Sequence, residues 1–466
     1  MSAIPLREPS TRAAVPVAHL PDTISHRLGA FVVATTPAAL PAHVVALAKD
    51  RLLDALATAF AARKLAVPGV ARAFVAQAGS HSGAATVIGH AGGLPAIDAA
   101  FVNATLVNGC THDDFLAKSH AGAVAIPAAL AVAEEEGASG AELLAGIVVG
   151  YDTCARAWRG GPGMLPRFRA SGVAGAVGAA GAAARLKRLT AEQASHALGL
   201  SAMFASGFGA GFHSGTMDVK LNVGWACRSG VSAAQLAFCG ATAAPHVFEG
   251  TAGFFEAFAN SAEHAQEAVR GLGERFLIED TVYKERPVCI FVQTPVQLAR
   301  NLVAEHGLDP AAIERVRIRA PLATLTNPGY QNLAPFATQL QARISARFTV
   351  AAALLGRPVE SYKYFDHTDD AEVLALAERV ELLPPGTSED DVWVQVQMQV
   401  GGAVRTVETT GREMDHLLPT TDKVIAKYQR LMADLPAVPV QRLLDTVMAI
   451  DRLADVRELG AQLRAL

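Results

Sequence analysis

The stretch NGCTHDDFLAKSHAGAVAIPAAL, residues 108–130, sets acid, base and cation directly against a run of small apolar side chains. His112, Asp113, Asp114, Lys118 and His120 fall within nine residues, and 121–132 carry almost no polarity. Charge placed against an apolar helix is costly unless it is paired or put to use. A carboxylate and an imidazole at the mouth of a dry pocket also suit proton transfer, because burial and neighbouring charge move their pKa values toward neutrality. The plainer reading is a helix start, with Ser119 as N-cap and Asp113 and Asp114 complementing a helix N-terminus. Both readings put a buried helix directly after the charged residues.

Outward from this stretch the pattern stays helical. Residues 95–111 repeat Ile97, Ala100, Phe101, Ala104 and Val107 at helical spacing and deliver 111–114 at the C-terminal end. Helices follow over 126–137 and 140–158, joined by the breaker GASG. The segments 171–184 and 201–215 are dominated by Ala, Gly and Ser. Glycine costs about 1 kcal/mol per helical position relative to alanine, so its repetition implies backbones in close approach. Upstream, 1–22 reads as a loose arm, Asp22 as the cap of a helix over 23–34, and Pro41 as the opening of a helix over 41–63. A helix over 70–78, a short β-like piece over 85–88, and helices over 229–240 and 253–258 complete this part.

After about residue 272 the texture changes. Residues 315–318 alternate like a strand, and Val392, Val394, Val396, Met398 and Val400 alternate strictly with polar residues. Gly401-Gly402 then turns and 403–409 returns, a hairpin signature. A helix over 341–355 sits among these strands, and the pattern is helical again from 420. The fold class is therefore mainly α with an α+β insertion: a large helical domain built from 1–272 and 413–466, and a smaller α+β lid domain over 273–412.

The 466 residues are 51% apolar and 18% charged, with net charge −4 and pI near 6.4. That composition supports a large core and argues against disorder. No basic block points to nucleic acid. Five scattered cysteines without a CxxC suggest reduced thiols in a cytoplasm. The first residues lack the apolar core of a signal peptide. The apolar run 170–186, bounded by Arg169 and Arg185, is rich in Ala and Gly and reads as a buried helix rather than a membrane span.

No metal motif occurs, and nothing obvious completes a ligand set around His112, Asp113, Asp114 and His120, so no metal is expected. GFGAG, 207–211, follows no strand and reads as helix packing. The remaining signal is cationic. Lys220 follows a Gly-rich turn, Lys284 and Arg286 lie at the seam where the texture changes, and Arg169 precedes the Ala/Gly helix. Arg343 and Arg347 share a helix face at i, i+4, where like charges repel unless an acidic partner or an anionic ligand compensates. Each could be an ordinary solvated charge; together they suggest a substrate with two or more carboxylates.

In this order, VNATLVNGCTHDDF, SHAGAVAIPAALAVAEEEGASGAELLAGIVVGYD, VKLNVGWACRSGVSAAQLA, YKERPVC and ARFTVAAALLG resemble the MmgE/PrpD family from about residue 41 to the end. The resemblance implies a homodimer and a cofactor-free site in the cleft between helical domain and lid. The family's H-P-S-G histidine falls on His120, the acidic pair of its D-x-D-D segment on Asp113 and Asp114, and its two site lysines on Lys220 and Lys284. Departures are several. Thr111 stands where the first acid of D-x-D-D belongs, with His112 between. Arg169 replaces a second histidine, Gln293 a third, and Phe348 a tyrosine. Decarboxylation of cis-aconitate uses those groups in the family, so it falls out of favour.

The leading expectation is a dehydratase-type lyase acting on a hydroxy di- or tricarboxylate. His120, Asp113, Asp114, Lys220 and Lys284 would be catalytic, with Arg169, His112, Arg286, Arg347 and Gln293 binding substrate. An epimerase of a dicarboxylate such as iminodisuccinate would use the same proton abstraction. A divergent or non-catalytic binder of another ligand is the third reading.

Overall fold

The computed structural model describes residues 22–386, 391–412, 417–418 and 420–466; of the arm expected at 1–22 only Asp22 lies among them. The chain opens with α1 (Ile24–Ala34), α2 (Ala42–Ala62) and α3 (Ala66–Gln77), then a small ribbon of β1 (Ala85–Thr86) and β2 (Gly93–Leu94). Thr23, not Asp22, caps α1, because its hydroxyl reaches the His26 N–H. Then come α4 (Ala96–Gly109), α5 (Gly122–Glu136), α6 (Gly140–Arg159), α7 (Ala170–Leu186), α8 (Ala191–Met203), α9 (Gly211–Ser214), α10 (Asp218–Phe238) and α11 (Phe254–Ala259).

The Ala/Gly helix α7 is buried on every side and packs against α5, α6, α8 and α10. A Cβ on Gly178 would stand 2.6 Å from the Cys154 Cβ and 2.8 Å from the Gly150 carbonyl oxygen of α6. Glycine at this crossing lets the two backbones nearly touch. The helix propensity lost there is exchanged for close packing over the whole interface.

The α+β portion contains α12 (Ile290–His306), β3 (Ile313–Arg319), α13 (Leu322–Leu325), α14 (Gln339–Ile344), α15 (Ala346–Leu354), α16 (Ala371–Ala377), β4 (Val380–Leu383), β5 (Asp391–Val400) and β6 (Ala403–Arg412). The sheet order is β4-β3-β5-β6, with β4 parallel to β3 and the other pairs antiparallel. Val392, Val394, Val396 and Met398 are buried, and α12 packs on β5 and β6. Val400 is exposed at the hairpin end. Gly401 and Gly402 take φ of 58° and 84°, as a two-residue turn of this kind demands.

The helix expected over 341–355 is two helices. Ser345 leaves helical geometry (φ −75°, ψ 116°) and its hydroxyl accepts the Phe348 N–H, starting α15 afresh. The break places Arg343 and Arg347 on different elements, so they do not share a face. Helices α17 (Thr421–Leu431), α18 (Ala437–Met448) and α19 (Arg457–Ala465) close the chain. Val424, Tyr428, Leu443 and Leu459 join the core formed by the first helices, while the sheet, α12, α15 and α16 form a separate core.

The α6–α7 crossing is directly testable. Gly178→Val is expected to cost about 1–3 kcal/mol, the usual penalty for overpacking. Urea unfolding followed by circular dichroism measures it. An unchanged midpoint would show that the helices tolerate a wider separation.

Candidate active site

The site is built on the turn that follows α4. A helix C-terminus leaves its last carbonyls without intrahelical donors and carries a partial negative charge. Here cations supply the donors. Lys220 Nζ reaches the Asn108 carbonyl at 2.7 Å, Arg343 the Cys110 carbonyl at 3.2 Å, Lys284 the Thr111 carbonyl at 3.2 Å and Lys427 the His112 carbonyl at 2.6 Å. Thr111 sits at φ 60°, an uncommon conformation for a β-branched residue. Its hydroxyl also accepts from Lys220 at 3.0 Å, so two lysines hold the strained turn in place.

Asn108 joins the pieces. Its amide donates to Asp113 Oδ2 at 2.9 Å, and its side-chain oxygen accepts from Arg169 Nη2 at 3.3 Å. Arg169 also donates to the Val219 carbonyl. Asp113 Oδ2 lies 2.9 Å from His120 Nδ1, which is 3.2 Å from the Asp114 carbonyl. Two acceptors at Nδ1 require the proton to sit there, so in the neutral ring Nε2 keeps its lone pair. The His120 backbone N–H is fixed by Ser171 Oγ at 3.0 Å, and Phe115 packs edge-on to the ring.

Burial lowers the His120 pKa to about 4, with Asp113 opposing and Lys284 assisting. Burial works against the Asp113 carboxylate, but His120, Lys284 and Lys220 together hold it well below the usual carboxylate range. Burial likewise lowers Lys220 to about 7, opposed by Asp113 and helped by Arg169, Lys284 and Arg343. Lys284 and Arg343 are also lowered by burial, and Arg169 falls to about 10. Among the described residues no carboxylate lies within ion-pair distance of Lys220, Lys284, Arg169 or Arg343, and Asp113 Oδ1 has no hydrogen-bond partner.

Asp114 faces elsewhere. Its Oδ1 accepts the Gly122 N–H at 3.1 Å and its Oδ2 the Tyr151 hydroxyl at 2.5 Å. It therefore complements the start of α5, where Ser119 makes no cap bond. Glycine is required at 122, because a Cβ would stand 2.6 Å from Asp114 Oδ1. Burial raises the Asp114 pKa to about 6, against the opposing pull of Arg51 and Tyr151. His112 belongs to a third group. Its carbonyl meets Lys427, which pairs with Asp54 at 2.7 Å, and burial, then Lys427, push its imidazole well below its ordinary range.

A cavity of about 260 Å³ opens between the helical and α+β portions. Residues 65–67, Gly109, Thr111, 215–217 and Lys220 line it from one side, and 338–340 and Arg343 from the other. His120, Asp113 and Lys284 do not line it; Asn108 and Thr111 connect them to Lys220.

The family model for the MmgE/PrpD N-terminal domain matches residues 26–267, and that for the MmgE/PrpD C-terminal domain matches 287–451. The chain belongs to the MmgE/PrpD family. Human cis-aconitate decarboxylase is 26% identical over 306 residues, a match spanning 63% of this chain and 62% of that enzyme, less than two thirds of its length. Between the two MmgE/PrpD matches lie 268–286, the segment that carries Lys284.

Three residues expected to bind substrate are occupied by the protein. Arg286 contacts Glu285, Glu360 and Gln297. Gln293, expected to bind substrate, donates instead to the Arg286 and Val288 carbonyls. Arg347 donates to the Val380 carbonyl at the sheet edge, because the break at Ser345 turns it away. None lines the cavity; Arg343 does. Phe348 is buried among Phe336, Tyr364 and Phe365 and brings no hydroxyl. Asn108 and Tyr151 are participants that the sequence reading did not place in the site; Arg343 was singled out there only as one of the cations that together suggest a carboxylate-bearing substrate. A polar side chain in the buried last turn of α4 was the available signal for Asn108. Among the described residues no group of three or more His, Cys, Asp or Glu side chains is arranged to hold a metal.

Asp113→Asn removes the carboxylate around which the cations gather. The expected loss is about 3–5 kcal/mol of folding stability, because the carboxylate charge that offsets the buried Lys220, Lys284 and Arg169 at longer range is removed. Adding Lys284→Met should restore part of it, because one uncompensated charge goes too. Denaturant unfolding of the single and double variants checks this, and strict additivity would show that the two groups do not interact.

Proposed function

We propose that this MmgE/PrpD protein is a cofactor-independent lyase of the dehydratase type, acting on a hydroxy di- or tricarboxylate. One observation carries the reading: a neutral imidazole, anchored through Nδ1 on an ionised carboxylate, stands among buried cations none of which, among the described residues, has a carboxylate within ion-pair distance. His120 Nε2 takes the proton from the carbon next to a substrate carboxylate. The electron pair moves into an enediolate, whose charge Lys220, Lys284 and Arg169 stabilise; one lost donor of this kind costs about 3–4 kcal/mol. The pair then returns to form the alkene as the β-hydroxyl leaves. Lys220, with its lowered pKa, is suited to give that hydroxyl the proton with which it departs as water. The decarboxylase named among the relatives supports carboxylate chemistry at this fold.

The homodimer implied by the family belongs to the same proposal. Val70, Phe74 and Trp225 stand exposed beside Leu221, an apolar patch of the kind association covers. Five unpaired cysteines suit a reducing compartment such as the cytoplasm. Among the described residues no helix is long and apolar enough to cross a membrane.

Incubation with citrate, 2-methylcitrate and related hydroxypolycarboxylates should give an alkene absorbance, and His120→Gln should lower kcat roughly 10²–10⁴-fold with an unchanged melting curve. Neither alkene nor solvent deuterium in any recovered substrate would rule the lyase out; deuterium without loss of water would make it an isomerase.

The pH profile has a definite sign. Neutral His120 gains population as pH rises through about 4, and the Lys220 ammonium is lost as pH rises through about 7. Hence kcat/KM should form a bell between those limits, and Lys220→Arg, which keeps the charge but cannot give up the proton, should lower the rate and remove the alkaline fall. An alkaline limb that survives the substitution would assign it to another group.

A further inference from the structure

A second cavity, of about 200 Å³, lies where α2 and α17 end against residues 358–363 of the α+β portion. Arg63, Arg430 and Asp434 line it from the helical side, and Glu360 and Lys363 from the other. Both acids are already paired. Asp434 lies 2.8 Å from Lys363, and Glu360 lies 3.4 Å from Arg286 and 3.3 Å from Arg300. The two guanidiniums of the helical side are not paired. Arg63 donates to the Phe60 carbonyl at 2.7 Å and Arg430 to the Glu285 carbonyl at 3.1 Å, which leaves each with further N–H donors. Among the described residues neither has a carboxylate within ion-pair distance. Positive charge is therefore in excess around the cavity. Ser361 and Tyr362 add hydroxyls to the lining, and Ser361 makes no cap bond. Ala61, Leu65, Cys110, Tyr362 and Leu431 pack together as a partition between this cavity and the one lined by Lys220 and Arg343.

We propose that this second cavity is a binding site for a small tetrahedral oxyanion, phosphate or the phosphate group of a short ester. Arg63 and Arg430 hold it from the helical wall, and Lys363 with the Ser361 and Tyr362 hydroxyls from the facing one. The donor set selects the ligand. Guanidinium forks and hydroxyls approach from two walls, and the oxygens of a phosphate, pointing in four directions, can accept from both. The two oxygens of a carboxylate share one plane and can serve one wall only. The bound anion clasps the two portions of the chain together behind the partition, where Lys363 and Asp434 already bridge them at the surface. The inference concerns a site apart from His120 and does not depend on the lyase reading.

The test is calorimetric titration of the intact protein with inorganic phosphate and with methyl phosphate, and acetate as the planar competitor. Phosphate is expected to bind once per chain, methyl phosphate comparably, and acetate to displace neither. Arg63→Gln and Arg430→Gln should each weaken phosphate about tenfold, the effect of removing a hydrogen bond to a charged group. Arg430 is exposed, so its variant serves if the Arg63 one does not fold. Hydrogen exchange locates the anion: phosphate should slow the amides of 358–366 and of the ends of α2 and α17, and should raise the melting temperature with concentration. No phosphate binding, binding that the Arg430 variant leaves unchanged, displacement by acetate, or protection falling on 215–220 and 339–343 instead overturns the inference. Failure of the lyase reading shows separately, as absence of deuterium exchange and alkene in the turnover assay, whatever the phosphate titration gives.

Discussion

The turn after α4 offers four carbonyls, those of Asn108, Cys110, Thr111 and His112, and each is met by a buried cation from a distant part of the chain. This is the interaction on which the site depends. Carbonyl dipoles at a helix C-terminus can solvate an ammonium or guanidinium without neutralising it. Carboxylates in the same places would have made the charges inert to an incoming anion. Only Lys427 is neutralised, by Asp54, and it serves the neighbouring buried group rather than the cavity.

Holding that charge has structural consequences. Burying cations without a carboxylate in ion-pair distance is expensive, and the scaffold around them is closely packed. Helix α7 is packed on all sides, and its Gly175, set against Val124 of α5, brings that helix close enough for Ser171, in the first turn of α7, to fix the His120 backbone. Tyr151 of α6 and the Gly122 amide lock Asp114, whose carbonyl helps define the His120 tautomer. The same two acidic neighbours thus do different work. Asp113 orients the base, while Asp114 starts the helix that follows.

Much of this was legible in the chain. The periodic apolar residues of α2 and α4, the alternation of β5 and the Gly-Gly turn followed from local geometry, so the mainly α fold with an α+β insertion could be read directly. His120, Asp113, Lys220 and Lys284 stood out because charge beside small apolar residues demands an explanation. What escaped was what local pattern does not encode. The break at Ser345 depends on one hydroxyl choosing a backbone N–H, and it decides which of two arginines meets the cavity. Arg286 and Gln293 looked available in sequence, yet their partners Glu360, Gln297 and the Val288 carbonyl become visible only when the chain is folded. His112, one residue from Asp113, parts from it because adjacent side chains of a turn point apart, toward Lys427 in its case.

By itself the sequence determined the element types, the order of helical and mixed segments, and the family, since these rest on periodicity and on motifs contiguous along the chain. Tertiary structure alone decided which cations share the carbonyls of one turn, and that Arg343 rather than Arg347 lines the cavity with Lys220. The reason is that hydrogen bonds between residues more than a hundred positions apart are fixed by packing of whole helices, and no short stretch of sequence carries that information.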